Sequence, residues 1–305
     1  MDEQKPDACP VGGSEADLSS GFDMFDADYN ANPGPIWKEM RETCPFSRTE
    51  ERGGFWVTTT YEDAQALVRR VPELSNRQVS VVDMPEDTDL TADYHTRAFP
   101  PITMDPPENI PLRRLLLPFF TPKAVETYRP HTEALCNELI DGFIDKGACD
   151  AAVDYAQQIT PRVISRILGV DPNQSDEFVG WVRGLIELGF DNPEMRAENH
   201  KHLVIFFSEQ LELRRENPTD DLISLLANQT VNGEPIADKT IVKMCVLTLA
   251  AGIDTTWSSI GSSMLHFATH PEDRRRLVRE PELFATAIEE MLRLHAPVSV
   301  GRVAM

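Results

Sequence analysis

Val246-Leu-Thr-Leu-Ala-Ala-Gly-Ile-Asp-Thr-Thr256 is a run of apolar residues that ends in an acid beside two hydroxyls. From Ile241 to Ile253 only Lys243 is charged, and its stem can carry the ammonium to the surface. A helix apolar on every side runs through the middle of a protein. No Gly or Pro interrupts Ala237 to Ala251, so length favours helix over buried strand. Gly252, Asp254 and Thr255 then fall where solid core is expected. Gly costs about 1 kcal/mol in a helix interior relative to Ala, and an unpaired buried carboxylate costs more. Thr255 can bond back to the carbonyl of Ala251, which bends helices. Together these features predict a long buried helix opened in the middle, with an acid and an alcohol facing the opening. That arrangement suits moving a proton into a dry site. The competing reading makes Gly252 a packing glycine, with Asp254 at a fray and the threonines satisfying themselves.

The surrounding 305 residues are 41% hydrophobic and 26% charged, as in a globular protein. A formal charge of −21 argues against nucleic acid and against anionic membrane surfaces as partners. No stretch has the apolar length of a membrane span, and Met1 to Ser20 is polar and acidic. No signal peptide or anchor is therefore expected, and a cytoplasmic location follows. Cys9, Cys44, Cys136, Cys149 and Cys245 are scattered without C-x-x-C spacing, so they read as free thiols.

Met1 to Pro35, rich in Asp, Gly, Ser and Pro, reads as a mobile lead-in before a single domain over 36–305. Gly54 to Thr60 is β-branched and aromatic and predicts a strand. Ser75 to Pro107 lacks periodicity, and a loop of that length is usually functional or disordered. From Leu112 the chain is mostly helical, with helices over 112–120, 124–145, 159–168, 175–188, 194–215 and 220–228. Beyond the central helix come 271–279 and 281–294, each opened by Pro-Glu at a helix start. Val298 to Val303 predicts a second strand. The expected fold class is mainly α with a small β-sheet.

Glu290 and Arg293 stand three apart on one helical face, where an ion pair can form. Taken alone, a solvated surface pair is the simpler account. His266 and His270 lie at i,i+4 as a possible metal pair, but no third ligand has the right spacing, so packing is favoured and no metal site is expected. Asp220-Asp221 could suggest a magnesium-dependent terpene cyclase, but the further acids are missing and Thr219-Asp220 reads as a helix N-cap.

Taken together, three segments resemble the cytochrome P-450 haem-thiolate monooxygenases. Ala251-Gly-Ile-Asp-Thr-Thr256 is similar to the family's oxygen-activating helix motif. Glu290-Met-Leu-Arg293 is similar to the E-x-x-R pair that buttresses its haem-ligand loop. Met104-Asp-Pro-Pro-Glu108, with Leu112-Arg-Arg114 and Phe120-Thr-Pro122, is similar to the stretch entering the helix beneath the haem. The resemblance implies the cytochrome P-450 fold, haem b as cofactor, and hydroxylation of a small apolar substrate with dioxygen and electrons from a ferredoxin-type donor. It implies that Asp254 and Thr255 deliver protons and that Gly252 and Ala251 leave a groove for oxygen. Arg113 and Arg302 would hold haem propionates, with Asn109 as an uncharged helper. Leu247, Val298 and parts of 78–103 would line the substrate pocket, under a roof at Glu177 to His200. Arg114, Lys123 and Arg129 would face the electron donor.

The family's iron is held by a cysteine well downstream of E-x-x-R, and no cysteine here follows Cys245. Because thiolate donation drives this chemistry, the sequence predicts a C-terminally incomplete member, an N-terminal portion lacking its iron ligand. The alternative is a non-catalytic helical remnant or a protein that binds small hydrophobes.

Overall fold

The computed structural model describes residues 21–71, 73–77, 99–189 and 192–305. These fall into two compact units. The first takes the N-terminal part with residues 103–106 and 300–305, and the second takes residues 99–102 and 107–299.

In the first unit α1 (Ala27–Ala31) and α2 (Pro33–Thr43) precede a hairpin of β1 (Phe46–Thr49) and β2 (Phe55–Thr58), followed by α3 (Tyr61–Leu67). The hairpin is antiparallel, with Phe46 opposite Thr58 and Thr49 opposite Phe55. Its core is Phe22, Met40 and Val57, with Tyr29, Trp37 and Phe55 packed around them. The lead-in expected over 1–35 is therefore corrected from Gly21 onward. Phe22 is an anchor, its carbonyl accepting from buried Thr49 Oγ1 at 2.8 Å, and Asp23 pairs with Arg52 at 3.0 Å. The polar residues around Phe22 hid it, because composition averages over a single buried ring. Residues 1–20 lie outside the described part.

The strand expected at 298–303 is also corrected: only Val303–Ala304 pairs, antiparallel with Leu74–Ser75. Two residues are all that find an edge to bond. Asp105, of the Met104-Asp-Pro-Pro-Glu108 stretch, organises this corner. It accepts from Ser75 Oγ at 2.5 Å and from the Asn76 backbone N–H at 2.7 Å. Burial pushes its carboxyl up, and those hydrogen bonds outweigh burial and hold it below its ordinary range.

The second unit is helical: α4 (Asn109–Leu116), α5 (Pro122–Ile144), α6 (Gln157–Leu168), α7 (Ser175–Ile186), α8 (Pro193–Glu216), α9 (Leu222–Ala227), α10 (Asp238–Thr269), α11 (Pro271–Arg279) and α12 (Phe284–Leu294). A short hairpin, Thr230–Val231 with Glu234–Pro235, precedes α10 and was not anticipated.

The 246–256 stretch lies in α10, which packs against α6, α7 and α8. Met244, Leu249 and Ile253 are fully buried in it. Each such side chain contributes about 1.5–3 kcal/mol through burial. The helix ends at His270 because Pro271 has no N–H to continue it and instead opens α11. The predicted opening in the middle of α10 is corrected, since the helix runs unbroken through Gly252 to Thr255. Thr255 donates to the Ala251 carbonyl at 2.7 Å, and Ser259 and Ser263 repeat the pattern one turn on at 2.8 and 2.7 Å. Hydroxyls satisfied within the helix let it stay regular.

Asp221, buried in this unit, is fully engaged. Asp221 caps α9 through the Ser224 N–H at 2.7 Å and accepts from Arg214 Nε at 2.6 Å, while Arg214 also donates to the Gly169 carbonyl. The cap is thus Asp221 rather than the expected Asp220. Gly169 closes α6 at φ 85°, with Asp221 occupying the space a Cβ would need.

Candidate active site

The site is built on α10. Between Ile241 and Ala251 every residue is buried except Lys243, Leu247 and Ala251, one residue per turn. One face of an otherwise buried helix therefore stays open, and at its far end Asp254 and Thr255 are half-buried.

Gly252 turns the other way. A Cβ there would lie 2.7 Å from the Ile164 side chain, so the missing side chain lets α6 approach α10. The packing reading accounts for this glycine. Only Ala251 is exposed on the open side.

Burial, and then the charge of Glu187, push the Asp254 carboxyl above its ordinary range, against a hydrogen bond from Trp257 that lowers it. Asp254 therefore keeps its proton to higher pH than a surface aspartate does. Thr255 has committed its own proton to the Ala251 carbonyl, which leaves its oxygen lone pairs to accept another. Neighbouring positions on a helix diverge by about 100°, so the acid and the alcohol have separate partners. Trp257, one turn beyond Asp254, could have been found from spacing. Glu187 and Ile164 are remote in sequence and gave no signal.

Asn109 begins α4 and is half-buried, with Arg113 exposed one turn later. In the first unit, Arg302 Nη1 donates to the Gly301 carbonyl at 2.7 Å, and its Nε is buried with no hydrogen-bond partner among the described residues. Two observations, one in each unit, bear on a haem b site. Ala251 breaks the burial of α10 with a small apolar side chain, and the orphaned Arg302 nitrogen suits an anionic group.

Glu290 and Arg293 form the expected pair, doubly bonded at 2.7 Å each, and both are exposed. Val298 is exposed, and residues 78–98 of the loop expected to line a pocket lie outside the described part. His266 and His270 stack with ring centroids 4.3 Å apart, and His266 Nε2 lies 3.0 Å from Asp273. No group of three or more His, Cys, Asp or Glu among the described residues is arranged to hold a metal ion. Cys136, Cys149 and Cys245 are free, whereas Cys44 is disulfide-bonded, which corrects the expectation of free thiols throughout. Burial pushes the Cys245 thiol far above its ordinary value, leaving it inert. Of the expected basic face, Arg129 is occupied by Glu126 at 2.8 Å. No described helix is long and apolar enough to cross a membrane.

Comparisons with known proteins agree with this frame. The sequence pattern of the family described as Cytochrome P450 matches residues 178–305. Vitamin D(3) 25-hydroxylase of Pseudonocardia autotrophica is 31% identical over 280 residues, covering 91% of this chain and 68% of that protein. Polyketide biosynthesis cytochrome P450 PksS of Bacillus subtilis is 28% identical, covering 91% and 70%. Its solved structure superposes with a TM-score of 0.79 at 26% identity. The chain belongs to the cytochrome P450 family and has that family's mainly α fold. Members are haem-thiolate monooxygenases whose cofactor is haem b. The chain spans about two thirds of the length of the relatives it matches.

Proposed function

We propose that the protein hydroxylates a small or medium apolar molecule, using dioxygen and electrons from a ferredoxin-type donor. The observation that carries this reading is the open face of α10, where a half-buried acid with a raised pKa lies just beyond the Lys243, Leu247 and Ala251 row in a stretch, 241–251, that is otherwise buried. Haem, where bound through a thiolate, would supply the chemistry that activates dioxygen. Asn109 and Arg113 would hold a propionate from α4, and the half-buried Arg302 guanidinium, with its unpartnered Nε, is suited to the same kind of anion. Ala251, exposed and small, would leave room for dioxygen. Leu247 and Val298 present apolar surface to the substrate. Asp254 holds a proton at its carboxyl, and the Thr255 hydroxyl, whose own proton goes to the Ala251 carbonyl, can accept a hydrogen bond from the reacting group. Exposed Arg114 and Lys123 would attract an acidic electron donor.

The test supplies haem, a ferredoxin system and isotopically labelled dioxygen with an apolar probe. Label should enter the hydroxylated product, and Asp254→Asn should lower turnover about 10²-fold. Haem uptake with a thiolate-type Soret band in the reduced carbon monoxide complex but without labelled product would overturn the reading. A binding role without catalysis, the second reading, predicts probe binding that Asp254→Asn leaves unchanged.

A further inference from the structure

Three histidines meet where α12 packs against the end of α10. His266 sits on the last turn of α10, His270 closes that helix, and His295 closes α12. The His266 and His270 rings lie nearly parallel with centroids 4.3 Å apart, and the His295 ring stands 5.9 Å from His266 at 64°. The three differ in their partners. His266, its side chain only 11% exposed, has Nε2 3.0 Å from the Asp273 carboxylate of α11. His270 Nδ1 lies 3.1 Å from the His266 carbonyl, which can only accept, so that nitrogen carries a proton. His295 Nε2 is buried and has no hydrogen-bond partner among the described residues.

The charged groups on the surrounding elements are already engaged. On α11, Asp273 is taken by His266, and Arg276 pairs with Glu280 at 3.3 Å. On α12, Glu290 is doubly bonded to Arg293. The carbonyl ends of α10 and α12 favour a cation nearby, and His266 has Asp273 to balance one. A proton on His295 instead sets a cation beside two other imidazoles, with no acceptor at its buried nitrogen. Burial, and then the charges of His266 and His270, hold the His295 ring below its ordinary value. α12 is also lightly held, since none of its residues is buried and Ile288 and Leu294 are exposed. A cavity of about 410 Å³ opens beside it, walled by Phe267, Leu277, Met291 and Leu294 among others. An element with few buried contacts opens at low cost, so the histidine contact decides whether its end stays docked. We propose that His266, His270 and His295 form a pH-operated latch: with His295 neutral the end of α12 docks on α10, and a proton on His295 releases it. The latch stands on these helices alone and is independent of the oxygenase reading. Because the folded value is depressed, the docked form loses stability as pH falls from the ordinary histidine range toward that lower value, and the loss levels off below it.

The test follows amide hydrogen exchange at the end of α12 from about pH 8 to about pH 5, a span that brackets the ordinary histidine range. Rates are corrected for the intrinsic pH dependence of exchange. The His295 N–H, bonded to the Met291 carbonyl at 2.8 Å, reports docking. Its protection should fall by up to about tenfold per pH unit below the ordinary histidine range, the limit for one proton taken up on opening. Protection at Met244 to Leu249 should stay constant. His295→Phe keeps a ring without a titrating nitrogen and should leave protection at the end of α12 flat across the same span. His270→Phe removes a neighbouring charge and should raise the midpoint. NMR titration of the His295 ring in the unaltered chain gives a reading that needs no variant. A midpoint below the ordinary histidine range supports the latch, and an ordinary midpoint overturns it. Protection that ignores pH in the unaltered chain would also overturn it, as would a pH dependence that survives in His295→Phe.

Discussion

Gly252 and Ile164 are fitted to each other across α10 and α6: the Ile164 side chain fills the space in which a Cβ on Gly252 would lie 2.7 Å from its nearest atom. Ile164 is 5% exposed, so it has little room to withdraw. Gly252→Ala sets a helix-propensity gain of about 1 kcal/mol against an overpacking cost of about 1–3 kcal/mol. Net destabilisation is expected, read as a lower denaturant midpoint. Ile164→Ala alone should cost about 2–5 kcal/mol. The double variant should be more stable than the sum of the two single effects, because the cavity receives the new methyl. Additive effects would show that the two residues are not coupled.

Asp254 gives a pH signature of defined sign. Its folded-state pKa is raised by burial and by Glu187. The folded protein therefore binds this proton more tightly than the unfolded chain, and stability falls as pH rises from the ordinary carboxylate range through the raised value. Asp254→Asn removes that slope. The difference in melting temperature, variant minus parent, should grow with pH across that window and level off above it. A constant difference would mean that the carboxyl is not perturbed.

The Arg214–Asp221 pair should behave in the opposite sense. Burial raises the Asp221 carboxyl, and hydrogen bonds from Thr219, Arg214 and Ser224 outweigh burial and hold it low. The stability it contributes is present above the ordinary carboxylate range and is lost as pH falls through the depressed value. Arg214→Met leaves a buried charge without its partner and should cost about 3–5 kcal/mol, measured by urea unfolding at neutral pH. That cost should narrow in acid, where the carboxyl is protonated.

Asp105 ties residues 75–76 to the chain after 103. Asp105→Ala strands the Ser75 hydroxyl and the Asn76 N–H and should cost about 1–3 kcal/mol. Amide hydrogen exchange should quicken at Asn76 and Arg77 while α10 stays protected. Unchanged exchange there would remove Asp105 from this role.

The α10 helix could be read from the sequence because its signal is local. The nearly unbroken apolar run from Ile241 to Ile253 calls for burial, no Gly or Pro interrupts Ala237 to Ala251, and Pro271 ends the helix. Glu290 and Arg293 follow from spacing alone, as does the back-bond from Thr255 to Ala251. Phe22 escaped notice because one ring in a polar stretch leaves no period to detect. The strand at 298–303 shrank because β pairing depends on a distant partner, here Leu74–Ser75, whose position no local pattern specifies.

The sequence by itself thus determined the helical character of most of the chain after Leu112, the stop of α10 at Pro271, and which short motifs carry an acid, an alcohol or an ion pair, since these depend on neighbours within a turn or two. Only the tertiary structure decided which side of each helix is open. It turned Gly252 toward Ile164 and left Ala251 exposed. It set the Glu187 charge to bear on Asp254, and it laid the Phe99 ring edge-on to His200. Those outcomes depend on how helices distant in sequence pack together, and periodicity along one helix cannot specify which neighbour covers which face.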